Sequence, residues 1–157
     1  MEIELITVGK TGIGFVKEGI AEYAGRLRHY LPFSMTELPD VRKGKNPGVE
    51  QQKKAEGDAI LSRLSASDFV ILLDEKGKEY TSMEFAAYIE KLMASGKKRT
   101  VFVVGGPYGF SPEVYARADA KLSLSRMTFN HEMVRMFFVE QIYRAMTILR
   151  DEPYHHE

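Results

Sequence analysis

The chain has 157 residues, a length that fits one domain spanning 1–157. Hydrophobic residues make up 44% and charged residues 28%, with 22 Lys+Arg against 22 Asp+Glu, so formal net charge is zero; this excludes a protein that grips nucleic acid by bulk charge alone. Zero cysteine excludes disulfides, Cys-ligated zinc and thiol catalysis. No apolar run approaches the ~18 residues of a membrane span and the opening Met1-Glu2-Ile3-Glu4 is not a signal peptide, so a cytoplasmic protein with no membrane partner is expected.

In chain order, Ile3, Leu5, Ile6 and Val8 predict a strand ending at Gly9. Phe15, Val16, Ile20, Tyr23, Ala24 and Leu27 recur at helical spacing. Phe33 to Leu38 alternates as a second strand. Pro39 to Gly48 is polar and punctuated by Gly44, Pro47 and Gly48, which predicts a loop. Residues 49–64 read as a helix with a weak apolar face. Phe69 to Leu73 is short and continuously apolar, the pattern of a buried strand. Ser82 with Glu84 opens a helix that ends near Gly96, and Thr100 to Val104 is another buried strand. Ser111-Pro112-Glu113 combines a capping serine, proline at the first helical position and an acid in the first turn. Lys121 to Leu124 is a short strand. A long apolar helix runs from His131 to about Arg150, and Asp151 to Glu157 is a tail. Alternating strands and helices predict an α/β domain with a largely parallel sheet flanked by helices.

Several motifs carry chemistry, each with a plainer reading beside it. Val8-Gly9-Lys10-Thr11 and the acids after Val70–Leu73 imitate a nucleotide-binding loop and a magnesium-holding strand. The loop needs a glycine five residues before its Gly-Lys glycine so that backbone N–H groups can wrap the phosphates. Glu4 stands there instead, inside the strand, and its carboxylate repels phosphate. Gly105-Gly106-Pro107-Tyr108-Gly109 follows a buried strand, where α/β folds bind ligands and glycine lets a backbone approach closely; a tight strand-to-helix turn has the same composition. Asp74 to Lys78 is either an ordinary charged turn or part of the same crevice. In Leu124 to His131 the hydroxyls suit a polar ligand, whereas Met127 and Phe129 suit a core.

Arg135, Glu140 and Arg144 sit in a last helix that is apolar nearly all round, a pattern that favours a dimer interface. Charges embedded there should be paired, either as an intersubunit ion pair or in catalysis. Arg42, Lys43, Lys45, Lys53 and Lys54 form a basic patch that is either a solvated face or a phosphate contact. The tail, Pro153-Tyr154-His155-His156-Glu157, is by default a frayed end, and its groups are too few and too local for a metal site, so no metal is expected.

Taken together, the opening Ile-x-Leu-x-x-Val-Gly-Lys, Lys54-x-Glu56-Gly57, Leu73-Asp74 before Gly77-Lys78, Gly105-Gly106-Pro107-x-Gly109, Leu124-Ser125-x-x-Thr128-x-x-His131-x-x-x-Arg135, Glu140-Gln141-x-Tyr143-Arg144-Ala145 and Pro153-Tyr154-His155 resemble the large-subunit ribosomal RNA methyltransferase H family of the SPOUT superfamily. The resemblance runs over essentially the whole chain. It implies a deep C-terminal trefoil knot, a rare exception among folds, and a homodimer packed through the knotted regions. It implies S-adenosyl-L-methionine as cofactor and N3 methylation of a pseudouridine in the helix 69 loop of 23S rRNA within the assembled 70S ribosome.

Leu73, Gly105, Leu124, Ser125, Arg126, Met127, Thr128 and Phe129 match the family's cofactor-binding segments. Tyr154 and His155 match the tail segment near the target base, and Glu140 and Arg144 match polar positions on the substrate side. His155 is expected to assist deprotonation, with Arg144 or Arg135 stabilising the developing charge. Asn130 stands where proline is usual, and asparagine can cap the last helix. The rival readings are a SPOUT enzyme acting on another RNA such as tRNA and a non-catalytic ribosome-binding protein.

Overall fold

Apolar runs too short for helices become five strands: β1 (Glu2–Val8), β2 (Phe33–Leu38), β3 (Phe69–Glu79), β4 (Arg99–Val104) and β5 (Ala120–Ser123). The structure, a computed structural model, describes residues 1–40 and 48–156. Arg42, Lys43 and Lys45 of the basic patch, and the terminal Glu157, lie outside the described residues. The strands pair in the order β2-β1-β4-β3-β5, every pair parallel.

Side-chain alternation splits the sheet into two apolar faces. Ile3, Leu5, Ile71 and Phe102 meet α1 (Gly14–Leu27), α3 (Ser82–Ala94) and α5 (Met133–Leu149). Ile6, Val70, Leu72, Val101 and Val103 meet Ile60 of α2 (Val49–Ser62) and Val114 of α4 (Pro112–Arg117). The expected α/β domain with helices on both faces is therefore present. Its centre is Phe102, whose ring lies 4.7 Å from that of Phe138 on α5, a tilted contact of the favoured aromatic kind.

Most element bounds fall where the residue pattern puts them, and three differ for identifiable reasons. The helix expected to open at Ser82 does so, capped by the residue before it: Thr81 Oγ1 accepts from Glu84 N–H at 3.1 Å while the Glu84 carboxylate accepts from Thr81 N–H at 2.8 Å, a capping box. Strand β5 spans Ala120–Ser123, so Leu124 lies beyond it. Helix α5 begins at Met133 rather than His131. Strand β3 does not stop at Leu73 but runs on to Glu79, its pairing with β5 broken between Leu73 and Lys78, both of which register on Leu122. The segment read as a charged turn, Asp74 to Gly77, is thus an excursion inside a strand. Only glycine fits its closing position, because a Cβ on Gly77 would lie 2.6 Å from the Leu122 backbone nitrogen.

Candidate functional site

All strands point their C-terminal ends the same way, and ligands of such sheets collect at that edge. There the excursion after Leu73, the glycine turn after β4 and the segment after β5 enclose a cavity of about 540 Å³. That volume lies within the ~300–1,000 Å³ usual for small-molecule sites. Leu73, Gly105, Leu124, Ser125, Met127, Thr128 and Phe129 all line it, so seven of the residues singled out as cofactor contacts come together in one place. Arg126 does not line it; its side chain is 88% exposed and points toward Glu79 at 3.9 Å. Asp74, Tyr115 and His131 also reach the cavity.

Local chemistry shapes each wall. Gly105 has a structural reason to lack a side chain: a Cβ would lie 2.9 Å from the Phe110 ring, which folds back under the turn. Ser111 then caps α4, accepting from Val114 N–H at 3.4 Å with Pro112 at the first helical position. On the opposite wall Ser123 donates to the Ser125 carbonyl at 3.1 Å, and Ser125 Oγ accepts from Met127 N–H at 2.9 Å. Those hydroxyls fold the segment on itself and leave Met127 and Phe129 exposed. Asn130 ends it as a cap, its Oδ1 accepting from Glu132 N–H at 2.9 Å and Met133 N–H at 3.3 Å. The Tyr115 hydroxyl donates to Asp74 Oδ2, and burial together with that bond pushes the phenol up to about 12.

Glu132 and Arg135 tie this wall to the loop after β1. Glu132 Oε1 accepts from Gly12 N–H at 2.7 Å and Ile13 N–H at 2.8 Å, covering the otherwise uncapped start of α1. The Ile13 bond, opposed by burial and helped by Gly12, holds the Glu132 carboxyl below its ordinary value. The Arg135 side chain is 2% exposed. Its Nη atoms donate to the carbonyls of Val8 at 2.8 Å and Gly9 at 2.9 Å, to Thr11 Oγ1 at 2.9 Å and to Glu37 Oε2 at 3.2 Å. Burial lowers its pKa, with Glu37 and Glu132 opposing.

The other singled-out residues form a second cluster where the tail folds against α5 and α1. The tail is not frayed. Glu140 Oε1 accepts from Arg144 Nη2 at 2.6 Å and from the Tyr154 hydroxyl at 2.7 Å. Arg144 Nη1 lies 2.9 Å from His155 Nδ1. Arginine only donates, so Nδ1 accepts and the ring proton sits on Nε2. The Arg144 guanidinium covers one face of the Tyr154 ring at 4.8 Å, and Tyr143 meets that ring edge-on at 4.7 Å. Burial and the hydroxyl bonds to Tyr23 and Glu140 raise the Tyr154 pKa, so it is a neutral donor at physiological pH. Both embedded arginines are paired within the chain, to Glu37 and Glu140, which replaces the intersubunit ion pair as their explanation.

None of Glu140, Arg144, Tyr154 and His155 lines the cavity. The residues singled out from the sequence therefore fall into two separate clusters in one chain, one lining the cavity and one at the tail. A smaller hollow of about 340 Å³ adjoins the cavity across Leu122–Leu124, walled by Tyr80, Phe129, Phe137 and Gln141. Phe129 and Phe137 pack together at 5.4 Å and remain partly exposed. Residue patterns alone missed Tyr115 and Glu132, which belong to short or polar stretches with no signal of their own.

The family described as "Predicted SPOUT methyltransferase" matches residues 1–155. A protein of Parabacteroides distasonis named "Ribosomal RNA large subunit methyltransferase H" is 58% identical over 157 residues, covering all of both chains. Proteins of the same name from Porphyromonas gingivalis, 55% identical over the full length of both, and from Christiangramia forsetii, 55% identical over 99% of both, are similar to it as well.

Proposed function

We infer the reaction from one premise: the chain belongs to the SPOUT methyltransferase family, among the ribosomal RNA large subunit methyltransferases H. The protein is an S-adenosylmethionine-dependent methyltransferase of large-subunit rRNA. Its target is N3 of a pseudouridine in the helix 69 loop of 23S rRNA, met in the assembled 70S ribosome in the cytoplasm. The span 1–157 acts as one domain whose C-terminal part, from β4 through α5, is a deep trefoil knot. The observation that carries this reading is the cavity at the C-terminal strand edge, where seven residues matching the family's cofactor segments meet.

Those residues fit the cofactor in chemistry and in size. Leu73, Leu124 and Phe129 offer apolar surface, Ser125 and Thr128 offer hydroxyls, and Gly105 brings backbone close. S-Adenosylmethionine supplies a methyl group activated on a sulfonium, so the chain's own task is placement and proton handling. Arg126 sits on the same segment, its side chain exposed and only loosely paired with Glu79, placed to meet RNA phosphate.

The tail cluster supplies the proton chemistry. The imide proton on N3 has to leave, and a positioned base contributes roughly 10²–10⁴-fold. His155 accepts that proton once its Nδ1 leaves Arg144; the same exchange releases the Arg144 guanidinium to stabilise the imide anion. Glu140 keeps Arg144 in place, and Tyr154 stacks on the base, an interaction worth roughly 1–3 kcal/mol. Arg135, with both Nη atoms already engaged, serves by fixing the start of α5. Because the cluster and the cavity are apart in one chain, the working enzyme is a homodimer in which one copy's tail completes the other's cavity. The exposed Phe129–Phe137 pair and Met127 supply apolar surface for that contact.

The test is single-turnover methylation of ribosomes, with the methylated nucleotide mapped. Wild-type protein should methylate assembled ribosomes and act weakly on naked rRNA, since zero net charge gives little grip on free RNA. His155→Ala should slow the step by ~10²-fold or more. A wild-type rate in that variant removes His155 from the chemistry, and methylation confined to tRNA overturns the substrate.

A further inference from the structure

We propose that Asp74, oriented by Tyr115, recognises the vicinal ribose hydroxyls of the nucleoside in the cavity and so selects a ribonucleoside. The proposal rests on the methyl-donor reading above and extends it to a residue outside the family-matched contacts.

The excursion within β3 sets up this arrangement. Leu73 and Lys78 both register on Leu122, so the residues between them leave the ladder with β5, and Asp74, Glu75 and Lys76 line the cavity. Gly77 pins the far end of that excursion against the Leu122 backbone. Asp74, at its near end, lines the cavity beside Leu73. Its Oδ1 accepts from Lys76 N–H at 2.8 Å, and its Oδ2 accepts from the Tyr115 hydroxyl, which reaches across from α4. Both partners are neutral donors that fix the carboxylate without neutralising it.

A carboxylate has about four lone-pair sites, so each Asp74 oxygen keeps capacity for another donor. The Tyr115 hydroxyl has committed its proton to Asp74 and offers only a lone pair inward. The two side chains therefore present adjacent acceptors and no donor. Apolar walls at Leu73, Val104, Phe110, Leu122 and Leu124 flank them, suited to a base. A vicinal diol beside an aromatic base supplies the two neutral donors that such a surface requires. An unsatisfied acid at this edge would be costly against an apolar ligand, so discrimination against a deoxynucleoside follows from the same geometry.

Calorimetry on the full-length protein tests the assignment with two probes. S-Adenosylhomocysteine carries base, diol and amino-acid tail, whereas 5′-methylthioadenosine keeps base and diol and lacks the tail. Asp74→Asn should weaken both by a similar factor, roughly tenfold or more for a lost charged hydrogen bond. Tyr115→Phe, which keeps the carboxylate, should weaken both by a smaller factor and provides the test should Asp74→Asn fold poorly. The 3′-deoxy analogue of methylthioadenosine should bind Asp74→Asn and wild type almost alike. Loss confined to S-adenosylhomocysteine would show that Asp74 meets the ammonium and overturn the proposal, as would unchanged affinity for both probes. Wild-type protein that binds neither probe would sink the methyl-transfer reading and this assignment with it.

Discussion

Replacing Arg135 with methionine keeps the side-chain length and removes the guanidinium that joins α5 to the ends of β1 and β2. Four acceptors lose the guanidinium: the Val8 and Gly9 carbonyls, Thr11 Oγ1 and Glu37 Oε2, of which Glu37 Oε2 keeps the bonds from Thr11 N–H and Oγ1. Breaking a buried charged pair from one side costs about 3–5 kcal/mol. Glu37 is 36% exposed at its side chain, so water recovers part of its charge and the lower end applies. A loss of about 3 kcal/mol is a large share of the ~5–15 kcal/mol that holds a domain together. It corresponds to a fall in Tm of roughly 6–12 °C for a chain of this size. Arg135→Lys keeps a charge but cannot bridge four acceptors, and should lose about half as much. Urea unfolding of the three proteins at one fixed protein concentration is the assay, because the stability of any self-associating chain depends on concentration. Arg135→Met unfolding within about 1 kcal/mol of wild type would refute the clamp, since ordinary surface changes fall in that range.

Three other outcomes are expected. Asp68 is desolvated, which raises its pKa, but bonds from Arg99 and Ser65 outweigh this and leave the carboxyl below its ordinary value. The unfolded state then binds the proton first, so this contribution is full above the unfolded pKa of about 4 and is lost as pH falls through the lower folded value; Asp68→Asn should flatten the acid limb of stability measured by urea unfolding between about pH 5 and 2. Asn130→Ala removes the cap on α5 and should cost ~1 kcal/mol by thermal melting, while a neutral result would show that the backbone turn suffices. Neutralising Lys53 and Lys54 should reduce the slope of log affinity for ribosomes against log salt by up to roughly 0.9 for each phosphate the variant no longer meets; Lys54 already faces Asp58 at 3.6 Å, so Lys53 should carry more of the change.

The sheet was readable from composition because its strands are buried on both faces and therefore nearly pure apolar runs, as Thr100 to Val104 shows. Strand order and register were not, since they depend on partners far along the chain. The continuation of β3 shows why: Asp74 to Gly77 has the composition of a turn, and only its two-fold registration on Leu122 makes it part of a strand. Arg135 looked like a charge awaiting a partner. Its acceptors lie 98 to 127 residues away in sequence, beyond any local pattern. Tail order has the same origin, since Tyr30 donates to Glu152 at 2.6 Å and Tyr154 to Glu140. Asn130, by contrast, was legible as a cap, because capping is a property of the nearest backbone N–H groups.

The opposite edge of the sheet is closed by ions. Glu4, buried in β1, receives Thr36 Oγ1 at 2.5 Å and lies 3.6 Å from Arg63, while Arg99 reaches both Glu4 and Asp68. Arg99 also donates to the Arg63 carbonyl at 2.9 Å, so one guanidinium fastens the starts of β3 and β4 to the end of α2. The molecule thus divides its labour between two rims. One is locked by charge at the starts of β3 and β4, the other by the Arg135 clamp at the ends of β1 and β2. The exposed stretch from Arg126 to Phe129 carries neither lock, so its residues can change without loosening the frame.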